Sequence, residues 1–423
     1  KDFCLSSGSK RQECAKGRMK IMQRMVSIIL ICLGIGTNIW AQQEHTPSSD
    51  QINQLLKRIE ALEQTVHELR EQIQSKDTPK GNPPEAATVT IAQPLQQLQS
   101  QENPITDPVV KISGNVFGDY YWMATHHDPN LKNRNGFWIR RAYLGLDKKL
   151  NQDFDMRLRL EMGSAGDFSS KSKLTPTVKD AYLRWKFSEQ HQAYFGLSGT
   201  ATWNLVERIW GYRPVEKSLL DLHKWGSSRD LGIALRGDLD ADRKIRYHLM
   251  LGNGSGTGTE TNAGKKVQLA FSFHPTDPVT IQFYTDYEDL PMQAYQRTLQ
   301  GFIAFQYDWG RVGFQYAHQT RHGATDLELD ALSIWGAWKL SPNSSLFARY
   351  DRTFDPNPNG AQISYLPFDP TARSSFWVAG LDFEINHSFN LMPNVEVIHY
   401  DKNEDGIRPT IDLVPRMTFL YNF

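Results

Sequence analysis

Charged and apolar side chains alternate along several stretches of this chain. In residues 154–162, Asp155, Arg157, Arg159 and Glu161 take one parity, and Phe154, Met156, Leu158, Leu160 and Met162 the other. Further on, Asp180, Tyr182, Arg184 and Lys186 oppose Ala181, Leu183, Trp185 and Phe187. Near the end, Asp412, Arg416 and Asn422 oppose Ile411, Leu413, Met417, Phe419, Tyr421 and Phe423. Period two marks strands whose two faces meet different surroundings. Basic side chains on one face, among them Arg236 in a similar stretch, can bind or pass anions, and arginine does so bidentately. Interleaved with carboxylates, they can instead pair across a wall and stiffen it. Pairing accounts for most of them, because basic and acidic residues are equal in number over 109–423. A second basic group, Arg208, Arg213, Lys217 and Lys224 with nearby Arg229, lies in a long interval, 200–227. Glu207, Glu216 and Asp221 accompany it, and Trp203, Trp210, Tyr212 and Trp225 could pack the interval against a wall.

Such faces need elements to carry them. From Val109 to Phe423 sixteen strand-like segments follow one another, separated alternately by short turns, such as 150–153 and 341–343, and longer polar loops. A sandwich core cannot take this many inward charges, since an unpaired buried charge costs several kcal/mol or more. A wet lumen can. The reading is an all-β fold, a sixteen-stranded antiparallel transmembrane β-barrel, preceded by a short N-terminal α-helical coiled coil. Alternation alone leaves the faces of the second strand (Phe137 to Lys149) and the fifteenth unassigned. Composition agrees: 423 residues, 39% hydrophobic and 11% aromatic, suit a barrel and exclude a multi-span helical protein. Equal Lys+Arg and Asp+Glu, 47 each, argue against a nucleic-acid partner.

The N-terminal third is organised differently. Lys16, Arg18, Lys20 and Arg24 precede an apolar run, Val26 to Ile39, and Trp40-Ala41 follow. Residues 1–41 therefore read as an upstream stretch plus a cleaved secretory signal peptide, with Met19, Met22 and Met25 as candidate starts. All three cysteines, Cys4, Cys14 and Cys32, fall there, so the exported chain owes nothing to disulfides. In 50–75, Ile52, Ile59, Val66 and Ile73 alternate with Leu55, Leu62 and Leu69 at heptad spacing, a coiled coil. β-Branched a positions with leucine at d favour two strands, whereas Arg58 to Glu63 resembles a trimer signature. Residues 76–108, rich in proline and glutamine, read as a linker.

The motifs now resemble a family. Phe137 to Leu146 and Val178 to Leu183 resemble early strands of the phosphate-selective porin O and P family. Trp210 to Lys217, with Ser228 to Gly232, resembles its third loop and sixth strand. The terminal Thr418 to Phe423 resembles the outer-membrane insertion signal. The resemblance implies a homotrimeric pore in the outer membrane of a Gram-negative-type bacterium, with a third loop folded inward to narrow the channel. Arg208, Arg213, Lys217, Lys224 and Arg229 are then candidates for the constriction and anion binding. Arg157, Arg159, Arg184, Lys186 and Arg236 are candidates for lining the lumen. The function expected is passive diffusion of small hydrophilic solutes, weakly anion-preferring, with phosphate as the candidate anion. The alternative is a structural barrel that tethers its periplasmic coiled coil to wall or inner-membrane partners. The partners expected are outer-membrane lipid and small anions, with a periplasmic wall partner as a further candidate.

The sequence holds no zinc-ligand spacing and no Gly-x-Ser-x-Gly elbow, and its glycine-rich segment 252–258 lacks a strand–helix context. No enzyme, cofactor or metal is expected. His126-His127 reads as an ordinary solvated pair in an outer loop.

Overall fold

The computed structural model describes residues 110–169 and 173–423. The signal peptide, coiled coil and linker read from the sequence lie outside them. Sixteen strands form one closed barrel, each paired antiparallel with its sequence neighbours, and β1 pairs with β16 to close it. The first four are β1 (Lys111–Trp122), β2 (Asn135–Lys149), β3 (Phe154–Gly163) and β4 (Thr175–Lys186). Next come β5 (His191–Gly199), β6 (Arg229–Asp238), β7 (Ile245–Gly252) and β8 (Lys266–Phe273). β9 (Val279–Asp289), β10 (Tyr295–Tyr307), β11 (Gly310–His322) and β12 (Leu327–Ser341) follow. β13 (Ser344–Thr353), β14 (Ser374–Asn386), β15 (Phe389–Tyr400) and β16 (Asp412–Asn422) complete the wall. Short turns gather at one rim and long loops at the other.

The outward face carries the apolar parity. Phe283, Leu299, Phe314, Ile334, Trp377, Val395 and Met417 are all exposed on it. A β-bulge explains why alternation alone could not assign the second strand, and another interrupts β4. Opposite Phe117 and Gly118 the register skips Arg140, so Arg140 and Arg141 both turn into the lumen. Between β3 and β4 the skipped residue is Lys179, which joins Asp180 on the inner face. In β15 the inner parity is Met392, Asn394, Glu396, Ile398 and Tyr400, all buried.

The lumen is not uniformly wet, and here the sequence expectation is corrected. The third loop (200–228) enters it as a short helix α1 (Trp203–Trp210) and a single turn α2 (Leu219–Leu222). The seventh loop (354–373) enters as well, burying Ile363, Tyr365, Leu366 and Phe368. The inner parity of β12 to β16 meets these loops with Trp335, Phe347, Phe376, Val378, Met392, Ile398 and Val414. That apolar cluster fills one side of the barrel.

If the outer face meets hydrocarbon, Ile334→Arg, at the middle of β12, should destabilise the folded barrel by about 2–4 kcal/mol. Denaturant unfolding in lipid vesicles measures it. An unchanged midpoint would contradict the assignment of faces.

Candidate functional site: the inserted loops and the charged strip

α1 forms because Trp203, Val206, Ile209 and Trp210 recur at helical spacing and bury one stripe. Gly211 ends it in the left-handed region, φ 76°, with its N–H donating to the Glu207 carbonyl at 2.8 Å. A Cβ there would lie 2.3 Å from Arg311 Nη2, so the glycine also leaves room for the arginine. The opposite face of the helix carries Asn204 and Arg208 toward water.

Wall arginines hold the loops. Arg311 donates to the Trp210 carbonyl at 3.1 and 3.3 Å. Arg140 donates to the Val215 carbonyl at 2.6 Å and pairs with Glu216 at 2.9 Å. Arg349 donates to the Lys217 carbonyl and pairs with Asp351. Arg416 donates to the Tyr365 carbonyl at 2.6 Å and pairs with Glu396 at 2.7 Å and Asp119 at 3.1 Å. On the other flank an amide chain does the same work. Thr202 donates to Gln282 and accepts from Gln300, each at 2.7 Å, and Gln319 donates to the Trp225 carbonyl at 2.7 Å.

These loops leave the charged side chains on the inner face of β2 to β4 partly exposed. The charges there are paired across strands: Arg157 with Asp147 at 2.7 Å, Arg159 with Asp180 at 2.7 Å, and Arg184 and Lys186 with Asp155 at 2.5 and 3.5 Å. Above them, Arg141 and Lys179 share Glu161 at 3.1 and 2.9 Å. Facing this strip from the third loop, Arg213 pairs with Glu207 at 3.1 Å and Asp221 at 3.6 Å. Arg229 pairs with Asp180 at 2.5 Å. Burial works against charge on Asp221, but Lys217, Arg213 and Lys179 outweigh it and hold its carboxyl below the usual range. Glu207 is pushed up by burial.

Four of the cations singled out in the sequence have no carboxylate within ion-pair distance among the described residues: Arg208, Lys217, Lys224 and Arg236. Lys224 is exposed at the end of the loop. Lys217 is buried, which lowers its ammonium to about 8 against the attraction of Asp221 and Glu216. Arg236 lies over the Tyr194 ring at 4.0 Å and donates to the Gly199 carbonyl at 2.6 Å. Arg208 and Arg236 line the same cavity of about 370 Å³ between the third loop and the short-turn rim, with Gln192, His248 and Gln282. Asp238, also on that cavity, is held by Arg243 and Arg246 at 3.5 and 3.3 Å.

Arg140, Arg141 and Lys179 were missed in the sequence. Adjacent arginines that break the alternation were the available signal for a bulge.

Residues 110–213 match the model of the family described as phosphate-selective porin O and P, so the wall from β1 through α1 carries that family's pattern. No curated protein matches the sequence. Among solved structures, an anion-selective porin from Comamonas acidovorans superposes with a TM-score of 0.57 at 9% identity, over 74% of this chain and 99% of that one. The outer membrane channel DcaP of Acinetobacter baumannii gives 0.55 at 12% identity, over 75% and 98%. Pseudomonas putida OprB gives 0.55 at 10% identity, over 74% and 94%. At these identities the likeness establishes the fold.

Arg140→Ala should leave Glu216 buried without its arginine and the Val215 carbonyl without a donor, a local loss of about 3–5 kcal/mol. The third loop should loosen while the barrel stays closed. Protease digestion of the folded protein should then cut within 200–228, where the wild type resists. Equal resistance would show that the loop does not depend on Arg140.

Proposed function

We propose that this chain is an outer-membrane porin that passes small hydrophilic solutes by passive diffusion with a weak preference for anions. The observation that carries the reading is the partly exposed charged strip along β2 to β4. Its wall charges are paired but not balanced, since Arg141, Arg157, Arg159, Lys179, Arg184 and Lys186 share the four carboxylates Asp147, Asp155, Glu161 and Asp180. Arg208 and Arg236 meet at the cavity beneath it without carboxylate partners. A solute moving along the strip passes ion pairs with a residual positive charge and then a net positive cavity. Selectivity of this kind comes from the sign and spacing of lining charges at close quarters, with no energy coupling. The pairing of these cations argues for modest selectivity rather than a phosphate filter. The anion-selective porin among the structural neighbours supports the sign of the preference. Short turns at one rim and long loops at the other support an orientation with the turns in the periplasm and the third loop entering from outside. A homotrimer is the assembly the family pattern suggests.

Single-channel recording in a planar bilayer tests the reading. The expected result is conductance in triplet steps with an anion-selective reversal potential across a chloride gradient. Arg208→Glu should shift the relative permeation free energy toward cations by roughly 1 kcal/mol, a several-fold change. Folded protein without conductance would contradict the pore. An unchanged reversal potential would remove Arg208 from the account.

The filled side of the lumen favours a second reading, a barrel that conducts little and serves mainly to hold residues 50–75 in the periplasm. Deleting 44–108 separates the two. Conductance survives the deletion under the first, and association with the cell wall is lost under the second.

A further inference from the structure

The first loop (123–134) meets β16 through a backbone bridge, in which Leu413 donates to the Thr125 carbonyl at 3.0 Å. The bridge brings the next two residues against the first residue of β16. His126 is 3% exposed and Asp412 is 0% exposed, so the pair read from the sequence as solvated is in fact enclosed. One ligand atom each from His126, His127 and Asp412 lie within 4.8 Å of one another. His127 Nδ1 stands 3.1 and 2.9 Å from the two carboxylate oxygens of Asp412. The Tyr400 hydroxyl donates to Asp412 at 2.6 Å and sits 3.3 Å from the same nitrogen. On His126, Nδ1 accepts the Asp128 N–H at 3.0 Å, and Nε2 is buried with no hydrogen-bond partner. A buried orphan nitrogen is rare in folded proteins and asks for an occupant.

We propose that His126, His127 and Asp412 bind a divalent transition-metal ion of the Zn²⁺ class and fasten the first loop to the wall at the barrel mouth. Two imidazoles and one carboxylate suit zinc and its neighbours, and are a poor set for magnesium or calcium, which take oxygen. Tyr400 acts as the outer partner that orients the carboxylate. The remaining position on the ion takes water. Loading of the neutral imidazoles moves protons within the rings. In His127 the proton passes from Nδ1, now on the metal, to Nε2. In His126 it passes from Nε2 to Nδ1, so the Asp128 N–H contact ends and the loop shifts there. The site is independent of the charged strip and of the porin reading.

Co²⁺ is the probe, added to the purified full chain in detergent and followed by its visible d–d absorption, with Zn²⁺ as competitor. The expected result is saturation at one Co²⁺ per chain and displacement by Zn²⁺. His126→Ala should abolish the bands, and so should His127→Gln, while His387→Ala, at a fully exposed histidine elsewhere, should keep them. Folded wild-type protein without bands would overturn the proposal. So would bands that survive both His126→Ala and His127→Gln.

Discussion

A loop folded into a barrel brings backbone carbonyls with it, away from bulk water and from any neighbouring strand. Each needs a donor, because an unpaired buried polar group costs as much as a lost hydrogen bond or more. Here the donors are arginines of the wall. Arg311, Arg140 and Arg349 reach Trp210, Val215 and Lys217 of the third loop, and Arg416 reaches Tyr365 of the seventh. Guanidinium suits this task because it presents several donors in one plane, so the same side chain also satisfies a carboxylate. Remove these contacts and the third loop is left with the amide chain of Thr202, Gln282, Gln300 and Gln319 on its other flank. With them, one flank of the lumen becomes an apolar core and water is confined to the other.

That division decides what the charges can do. Arg311, Arg349 and Arg416 lie on the inner parity, as a selectivity ladder would require, yet they hold loop backbone. Arg157, Arg159, Arg184 and Lys186 face water but pair with Asp147, Asp180 and Asp155, the last shared by Arg184 and Lys186. A cation paired at under 3 Å presents a dipole to a passing ion, and its field falls off faster than that of a lone charge. The field that remains comes from cations that share a carboxylate and from those without one, and Arg208 and Arg236 share one cavity.

Much of the wall was legible in the sequence. Strands such as 154–162 alternate without interruption, and sixteen strand-like runs required closure. The bulges were harder to read, because one extra residue reverses parity and looks like noise. The adjacent Arg140 and Arg141 were the visible trace. α1 was legible in principle, with Trp203, Val206, Ile209 and Trp210 at helical spacing before Gly211, but in a segment read as loop. The insertion of the seventh loop was not legible. Ile363, Tyr365, Leu366 and Phe368 are apolar enough to be buried, but nothing local says against what. Pairing of Arg213 with Glu207 and Asp221 likewise depends on the fold of the loop and not on spacing. The enclosure of His126 and His127 rests on contact with Asp412, distant in sequence.

On the proposed reading water runs along β2 to β4 and is excluded from the β12 to β16 flank. Because the cysteines lie only at 4, 14 and 32, single cysteines in the barrel can report it directly. Arg157→Cys and Thr418→Cys, with those three positions changed to serine, should be treated with a charged, membrane-impermeant thiol reagent during single-channel recording. The account predicts rapid modification and a stepwise fall in current at position 157, and no modification at position 418. Reaction at 418 with silence at 157 would contradict it.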